Sequence, residues 1–142
     1  MRTKNRTLGQ SIIEFALIFP FLLFLLLGLF DLGRAVLFMS TLNTAAREGT
    51  RWAIVQPRGT TSAAVQAHIR QNFFDIKELS DNSTINPVFY YPSVSTDPEA
   101  SVTITITYTY LPITPGIKEI LGSGSGIPLK AESKMLLAPV AR

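Results

Sequence analysis

The sequence predicts an α+β fold: a long N-terminal helix packed on a small antiparallel β-sheet, with a second short helix. Three observations carry this. Ile12–Phe30 is an apolar run of 19 residues interrupted by one glutamate and one proline. Beyond it, apolar and small residues recur at spacings of three and four as far as Ala53, which is helical spacing. Finally, VTITITYTY at 102–110 alternates strictly, which is the period of a half-buried strand.

The totals bound what surrounds these elements. In a chain of 142 residues about 110 follow the apolar run, enough for one small core. The formal net charge of +3 resides in Arg2, Lys4 and Arg6, because beyond Gly9 ten Lys/Arg balance ten Asp/Glu. No basic field remains for a nucleic-acid partner. With no cysteine, disulfides, thiolate metal sites and thiol catalysis are excluded; with His68 the sole histidine, so is a His-based metal cluster.

As a helix, Ile12–Phe30 spans about 28 Å, close to the thickness of a hydrocarbon core. Its fifteen Leu, Ile and Phe residues favour insertion by about 5–9 kcal/mol, against at most about 3 kcal/mol for one acidic residue near the end. Pro20 is expected to kink the helix rather than break it. Leu29-Phe30-Asp31-Leu32-Gly33 offers no small-x-small site, so the run reads as an anchor and not a cleaved signal peptide. The basic residues precede it, which places residues 1–9 in the cytoplasm and the C-terminal part outside. The expected organisation is a basic leader at 1–9, a long helix at 10–56 with its membrane segment at about 12–30, and an exported α+β domain at 57–142.

Glu14 can be read in two ways. Alone, it is an interfacial carboxylate reaching for water near a helix end. Counted from Gly9, it gains a second meaning. If the bond between Gly9 and Gln10 is cut, Gln10 becomes a free amino terminus one helical turn from Glu14. A carboxylate and an ammonium on neighbouring subunits then neutralise each other in an apolar setting.

Gly9 followed by Gln-Ser-Ile-Ile-Glu14 and Phe15 resembles a type IV prepilin cleavage site. The longer string is similar to TadE-like pilus proteins of the tight-adherence (Flp-type) systems. The matching features are Glu14–Pro20, the Asp-x-Gly-Arg of Asp31, Gly33 and Arg34, and the Ala-Arg-Glu-Gly-x-Arg of Ala46, Arg47, Glu48, Gly49 and Arg51. The resemblance covers about fifty residues. It implies a single-pass, type IV pilin-like protein of the inner membrane, with cleavage after Gly9 by a prepilin peptidase and assembly through Glu14 and Phe15. Its implied partners are other pilins and pilus-assembly membrane proteins, and it implies passage into an extracellular pilus. Major pilins of this system are little more than the helix, so the length of this chain favours the minor, pseudopilin-like class.

One continuous helix is expected from about Ser11 to Val55, ended by Pro57 and Gly59. Leu32, Ala35, Val36, Met39, Leu42, Ala46, Gly49 and Ala53 form its inner face, and Ser40, Thr44, Arg47 and Arg51 the opposite one. Arg47, Glu48 and Arg51 read as a solvated face, with a partner patch as the alternative. Asp31 and Arg34 read as interfacial anchors where the helix leaves lipid.

In the exported region Thr61 or Ser62 can cap a second helix through about Phe74, with Val65, Ile69 and Phe73 inward. His68 beside that face reads as a structural histidine. Ser80–Thr84 reads as a loop. Val102–Tyr110 is the clearest strand, with Ile85–Tyr91 and Leu129–Leu137 as partners; Pro87 and Pro92 restrict the former to an edge or a short central piece. Such a sheet has one apolar face in need of cover, and the outer half of the long helix is the right length for it. A helical turn is expected at Ile117–Leu121. GSGSG at 122–126 reads as a flexible linker, since no Lys-Ser/Thr follows it and a proline does. Asp97 and Glu99 are too few oxygens for a calcium loop.

No pairing of nucleophile and base, nucleotide motif or carboxylate pair is visible, so the chain is expected not to be an enzyme and to need no cofactor, metal or small-molecule substrate. A minor pilin is the leading expectation. The alternatives are a non-polymerising single-pass protein that presents an extracytoplasmic partner-binding domain, and a pseudopilin of a general secretion or competence machine.

Overall fold

A computed structural model of the chain describes residues 5–57, 59–73, 76–91, 100–116 and 126–137, with side chains from Gly9 onward. The elements are α1 (Asn5–Ile54), α2 (Ser62–Gln71), α3 (Lys77–Asn82), β1 (Thr84–Tyr90), β2 (Ser101–Tyr110) and β3 (Ile127–Leu136). This is the α+β layout expected, a long helix on a three-stranded antiparallel sheet with short helices.

The 50 residues of α1 extend about 75 Å. The helix starts at Asn5, about two turns before the expected Ser11, so Gly9 and Gln10 lie inside it. It runs through Pro20 without a break. At its far end the last turn tightens: the N–H groups of Val55 and Gln56 bond to the carbonyls of Trp52 and Ala53, three residues back. Pro57 then cannot continue the helix, and Gly59 takes a positive φ of 94° that reverses the chain.

Thr61 caps α2 with its hydroxyl, which accepts from the N–H of Ala64 at 3.3 Å. Val65, Ile69 and Phe73 are buried, as their spacing predicts. The stretch expected to be a loop at Ser80–Thr84 instead completes α3 and opens β1. That helix is six residues of mostly polar sequence with one buried side chain, Leu79, too short to show a period.

Strand β2 is central in the order β1-β2-β3. Its register sets Ile85 against Ile106 on one side and Ala131 against Ile106 on the other, so the apolar face is continuous across all three strands. Pro87 sits in edge strand β1 opposite Ile104. Lys130, Glu132 and Lys134 of β3 point to the wet face. The cover is the outer half of α1, which lies on β2 and β3, while α2 packs between α1 and β1. Gln66 of α2 donates to the carbonyl of Ile85, tying that helix to the edge strand.

The rotation of α1 differs from the expected one. Leu42, Ala46, Gly49 and Ala53 face the sheet as expected, but Leu32 and Val36 are 64% and 63% exposed. Asp31, Phe38, Thr41, Ala45 and Thr50 are buried in addition. Polar residues can take these places because each has a partner. Thr41 and Thr50 return their hydroxyls to the carbonyls of Leu37 and Ala46, and Asp31 is satisfied by the sheet, as described below.

The expected turn at Ile117–Leu121, most of GSGSG and the Asp97/Glu99 pair lie outside the described residues. Gly126, the last glycine of GSGSG, is buried with φ 94°, and a Cβ there would stand 2.8 Å from the carbonyl oxygen of Tyr110. It is therefore a packed position rather than part of a loose linker.

Candidate functional site

Among the described residues the most developed polar constellation lies where α1 leaves its apolar segment. Asp31 follows Phe30 directly and is buried at 5% exposure. Its carboxylate accepts the backbone N–H of Ile113 at 2.9 Å and that of Thr114 at 2.7 Å. Tyr110 donates its hydroxyl to the same carboxylate at 3.1 Å and to the main-chain oxygen of Asp31 at 3.0 Å. Burial alone would raise the Asp31 pKa; the Ile113 and Thr114 N–H groups and the Tyr110 hydroxyl outweigh it and hold it at about 2. Asp31, expected as an interfacial anchor, is buried within the domain. It is an ionised latch that fastens the end of β2 and the loop after it to the helix.

Arg34, one turn along, makes the second half of this latch. Its guanidinium bonds Glu78 of α3 at 2.5 Å, and Glu78 also accepts the Tyr108 hydroxyl at 2.6 Å. The same guanidinium stands over the rings of Phe38 and Tyr110, 5.0 and 5.5 Å from their centroids. Phe38 in turn meets Tyr108 and Tyr110 edge to face. The Tyr108 hydroxyl, followed by Arg34, holds the Glu78 carboxyl below its usual range despite burial. Burial and Glu78 push the Tyr108 phenol above its ordinary value. Arg34 too is built into the domain, at about one-third exposure.

The segment Ala46–Arg51 divides between two faces. Ala46 is buried, and at Gly49 α1 comes close to α2: a Cβ there would stand 2.4 Å from Cγ1 of Ile69. Arg47, Glu48 and Arg51 are exposed on the other side and make no ion pair among the described residues. At the end of the same helix Trp52 stacks on His68 with centroids 4.6 Å apart, and Asn72 reaches the His68 ring at 3.3 Å. His68 is a packing residue in this structure. Gly33, between Asp31 and Arg34, has nothing within 4 Å of the position a Cβ would take, so packing within this chain gives no reason for a glycine there.

At the other end, Gly9, Gln10, Glu14 and Phe15 lie on one exposed stretch of α1. The Gln10 side chain donates to Glu14 at 3.1 Å, and Phe15 leans on Phe19. Among the described residues α1 is the one helix long and apolar enough to cross a membrane, with its most apolar window wholly exposed in the isolated chain. Its length and composition are those of a single-pass anchor. No group of three or more His, Asp or Glu side chains suited to a metal ion forms among the described residues.

The tyrosine partners of Asp31 and Glu78 were not anticipated from sequence. One signal for them exists: the strand 102–110 ends in two tyrosines on its buried face, and a buried phenol requires a hydrogen-bond acceptor.

Residues 9–51 match the family described as TadE-like protein. The matched segment is α1 from Gly9 to Arg51, and it includes both halves of the latch on the helix side. Neither the curated proteins nor the solved structures yielded a match to the chain.

Proposed function

We propose that this chain is a minor pilin or pseudopilin needed for biogenesis of a tight-adherence pilus, processed after Gly9 by a prepilin peptidase and assembled through its N-terminal helix. The observation that carries the reading is the coincidence of the TadE-like match at 9–51 with a Gly9/Glu14 pair at the start of an exposed apolar helix. The helix resides in the inner membrane with residues 1–9 in the cytoplasm and the α+β domain outside. Other pilins and assembly membrane proteins are its partners, and it performs no catalysis of its own.

The geometry adds a requirement to the processing step. The bond between Gly9 and Gln10 lies within α1, so a peptidase must open the first two turns of the helix to reach it. Glycine at that position lowers the cost of opening, by about 1 kcal/mol relative to alanine. After cleavage the Gln10 ammonium and the Glu14 carboxylate of adjacent subunits neutralise each other in the apolar core of the assembly.

Coexpression with the cognate peptidase, followed by N-terminal sequencing of the product, tests the reading. A mature chain that begins at Gln10 supports it. A product that retains residues upstream of Gln10 overturns the processing step and favours a plain membrane anchor.

A further inference from the structure

The latch at Asp31 fixes more than the fold; it sets the height of one loop above the membrane. Asp31 is the first residue after the apolar run, and the backbone N–H groups of Ile113 and Thr114 are bonded to its carboxylate. Strand β2 approaches this point by running back along the helix. Ile104 lies at Gly49, Tyr108 at Phe38 and Tyr110 at Asp31. The loop 111–116 is therefore at the membrane-facing pole of the domain, within about one helical turn of the end of the apolar run.

The loop turns apolar side chains outward at that pole. Thr114 is buried, whereas Leu111 and Ile113 are 55% and 69% exposed. Pro112 and Pro115 flank Ile113 and Thr114 and bring no N–H of their own, so the loop has fewer backbone donors to keep hydrated. Gly126, packed against the Tyr110 carbonyl and the Leu111 side chain, pins the base of the loop from the β3 side. On the helix at the same level Leu29, Phe30 and Leu32 are exposed as well. The exposed apolar side chains of the loop thus stand at the level where the apolar segment of α1 ends.

We propose that Leu111 and Ile113 insert into the boundary between headgroups and acyl chains of the membrane that α1 crosses, as a second, peripheral contact of the exported domain with lipid. The proposal rests on the reading of α1 as a membrane span. Its consequence is orientational: with the helix and the loop both seated, the domain lies at a fixed attitude on the bilayer instead of swinging about a single stalk.

The chain has no cysteine, so single cysteines can be placed without removing native thiols. Full-length Leu111→Cys and Ile113→Cys carry a nitroxide label in nanodiscs of phosphatidylcholine and phosphatidylglycerol, one copy per disc. Leu22→Cys marks the membrane interior and Thr107→Cys the wet face of the sheet. Collisions with lipid-soluble oxygen and with a water-soluble nickel chelate report depth. The expected result is nickel access at 111 and 113 several-fold below that at 107, with Leu22 shielded more deeply still. Nickel access at 111 and 113 equal to that at 107, with Leu22 shielded, overturns the proposal while leaving the span intact. Nickel access at Leu22 overturns the span itself, and the proposal with it. Shielding of 111 and 113 that arises only with two copies per disc assigns the surface to a second copy and overturns the lipid contact.

Discussion

Tyr110 and Asp31 stand 79 positions apart in sequence, yet one phenol hydroxyl bridges the main-chain oxygen and the carboxylate of the aspartate at 3.0 and 3.1 Å. This contact joins the last residue of the central strand to the first helical residue after the apolar run. It turns α1 from a tether into the spine of the domain, because the same carboxylate also holds the loop that follows the strand.

Removing the charge at this point weakens the domain. Asp31→Asn keeps the size but sets an amide NH2 against donors, leaving at least one buried group unsatisfied, at about 1–3 kcal/mol. Urea unfolding of the full-length protein in detergent micelles, followed by the strand signal in circular dichroism, measures it. Tyr110→Phe removes one donor and leaves the two backbone N–H groups in place, so it costs less, about 1 kcal/mol. A variant order with Tyr110→Phe the more damaging would contradict the latch.

The pH dependence follows from the same geometry. The folded Asp31 carboxyl is depressed to about 2 from an ordinary 3.8. A depressed folded pKa means stability present above the unfolded value and lost as pH falls from about 4 towards 2. Glu78, also lowered from its ordinary 4.5, adds to the loss in the range below that value. Wild-type protein therefore loses stability on acidification through this window, and Asp31→Asn shows a shallower loss. Equal slopes for the two proteins would remove Asp31 from the account.

Which parts of this were legible in sequence depends on how locally each is encoded. The period of VTITITYTY and the spacing of Val65, Ile69 and Phe73 are local, and the structure reproduces both. The rotation of α1 is not local. Leu32 and Val36 are the more apolar residues by type, yet Asp31 turns inward because three donors, on Tyr110, Ile113 and Thr114, and the aromatic rings around Arg34 wait on the other side. A stripe read from apolarity alone therefore errs by about one residue at this end of the helix. The short α3 stayed invisible for the opposite reason: six residues with one buried leucine carry too little pattern, and Glu78 gains its meaning only beside Arg34 and Tyr108.

Arg34 is expected to resist conservative replacement. Lysine keeps the charge but loses the planar stacking over Phe38 and Tyr110. A double-mutant cycle with Arg34→Ala and Glu78→Gln should return a coupling of about 0.5–1 kcal/mol, because both side chains are partly exposed and water screens them. The coupling shrinks in high salt. If Arg34→Lys matched wild type in unfolding midpoint, the ring contacts would carry no weight.

Gly49 tests the helix crossing. In Gly49→Ala the new methyl meets Cγ1 and Cδ1 of Ile69, a side chain with no exposed surface to retreat into, and overpacking of this kind costs about 1–3 kcal/mol. Ile69→Ala removes the atoms in conflict, so the double variant loses less than the two single losses added together. Strict additivity would show that the two helices can separate to make room.

On the proposed pilin reading, Glu14 is the residue that separates an assembling helix from a plain anchor. The Gln10 side chain already bonds Glu14 at 3.1 Å, so Glu14→Gln can keep a hydrogen bond and similar bulk while removing the charge. Membrane insertion should be preserved, because a neutral residue costs less in lipid than a carboxylate. Assembly should not be preserved: the terminal ammonium freed at Gln10 would be left without its counter-charge in an apolar setting. Losing one partner of a buried pair costs about 3–5 kcal/mol, far more than a tenfold loss of subunit affinity. Quantifying the chain in sheared fibre fractions against membrane fractions measures both effects in one preparation. Wild-type recovery of Glu14→Gln in the fibre fraction would show that Glu14 is an interfacial carboxylate and nothing more.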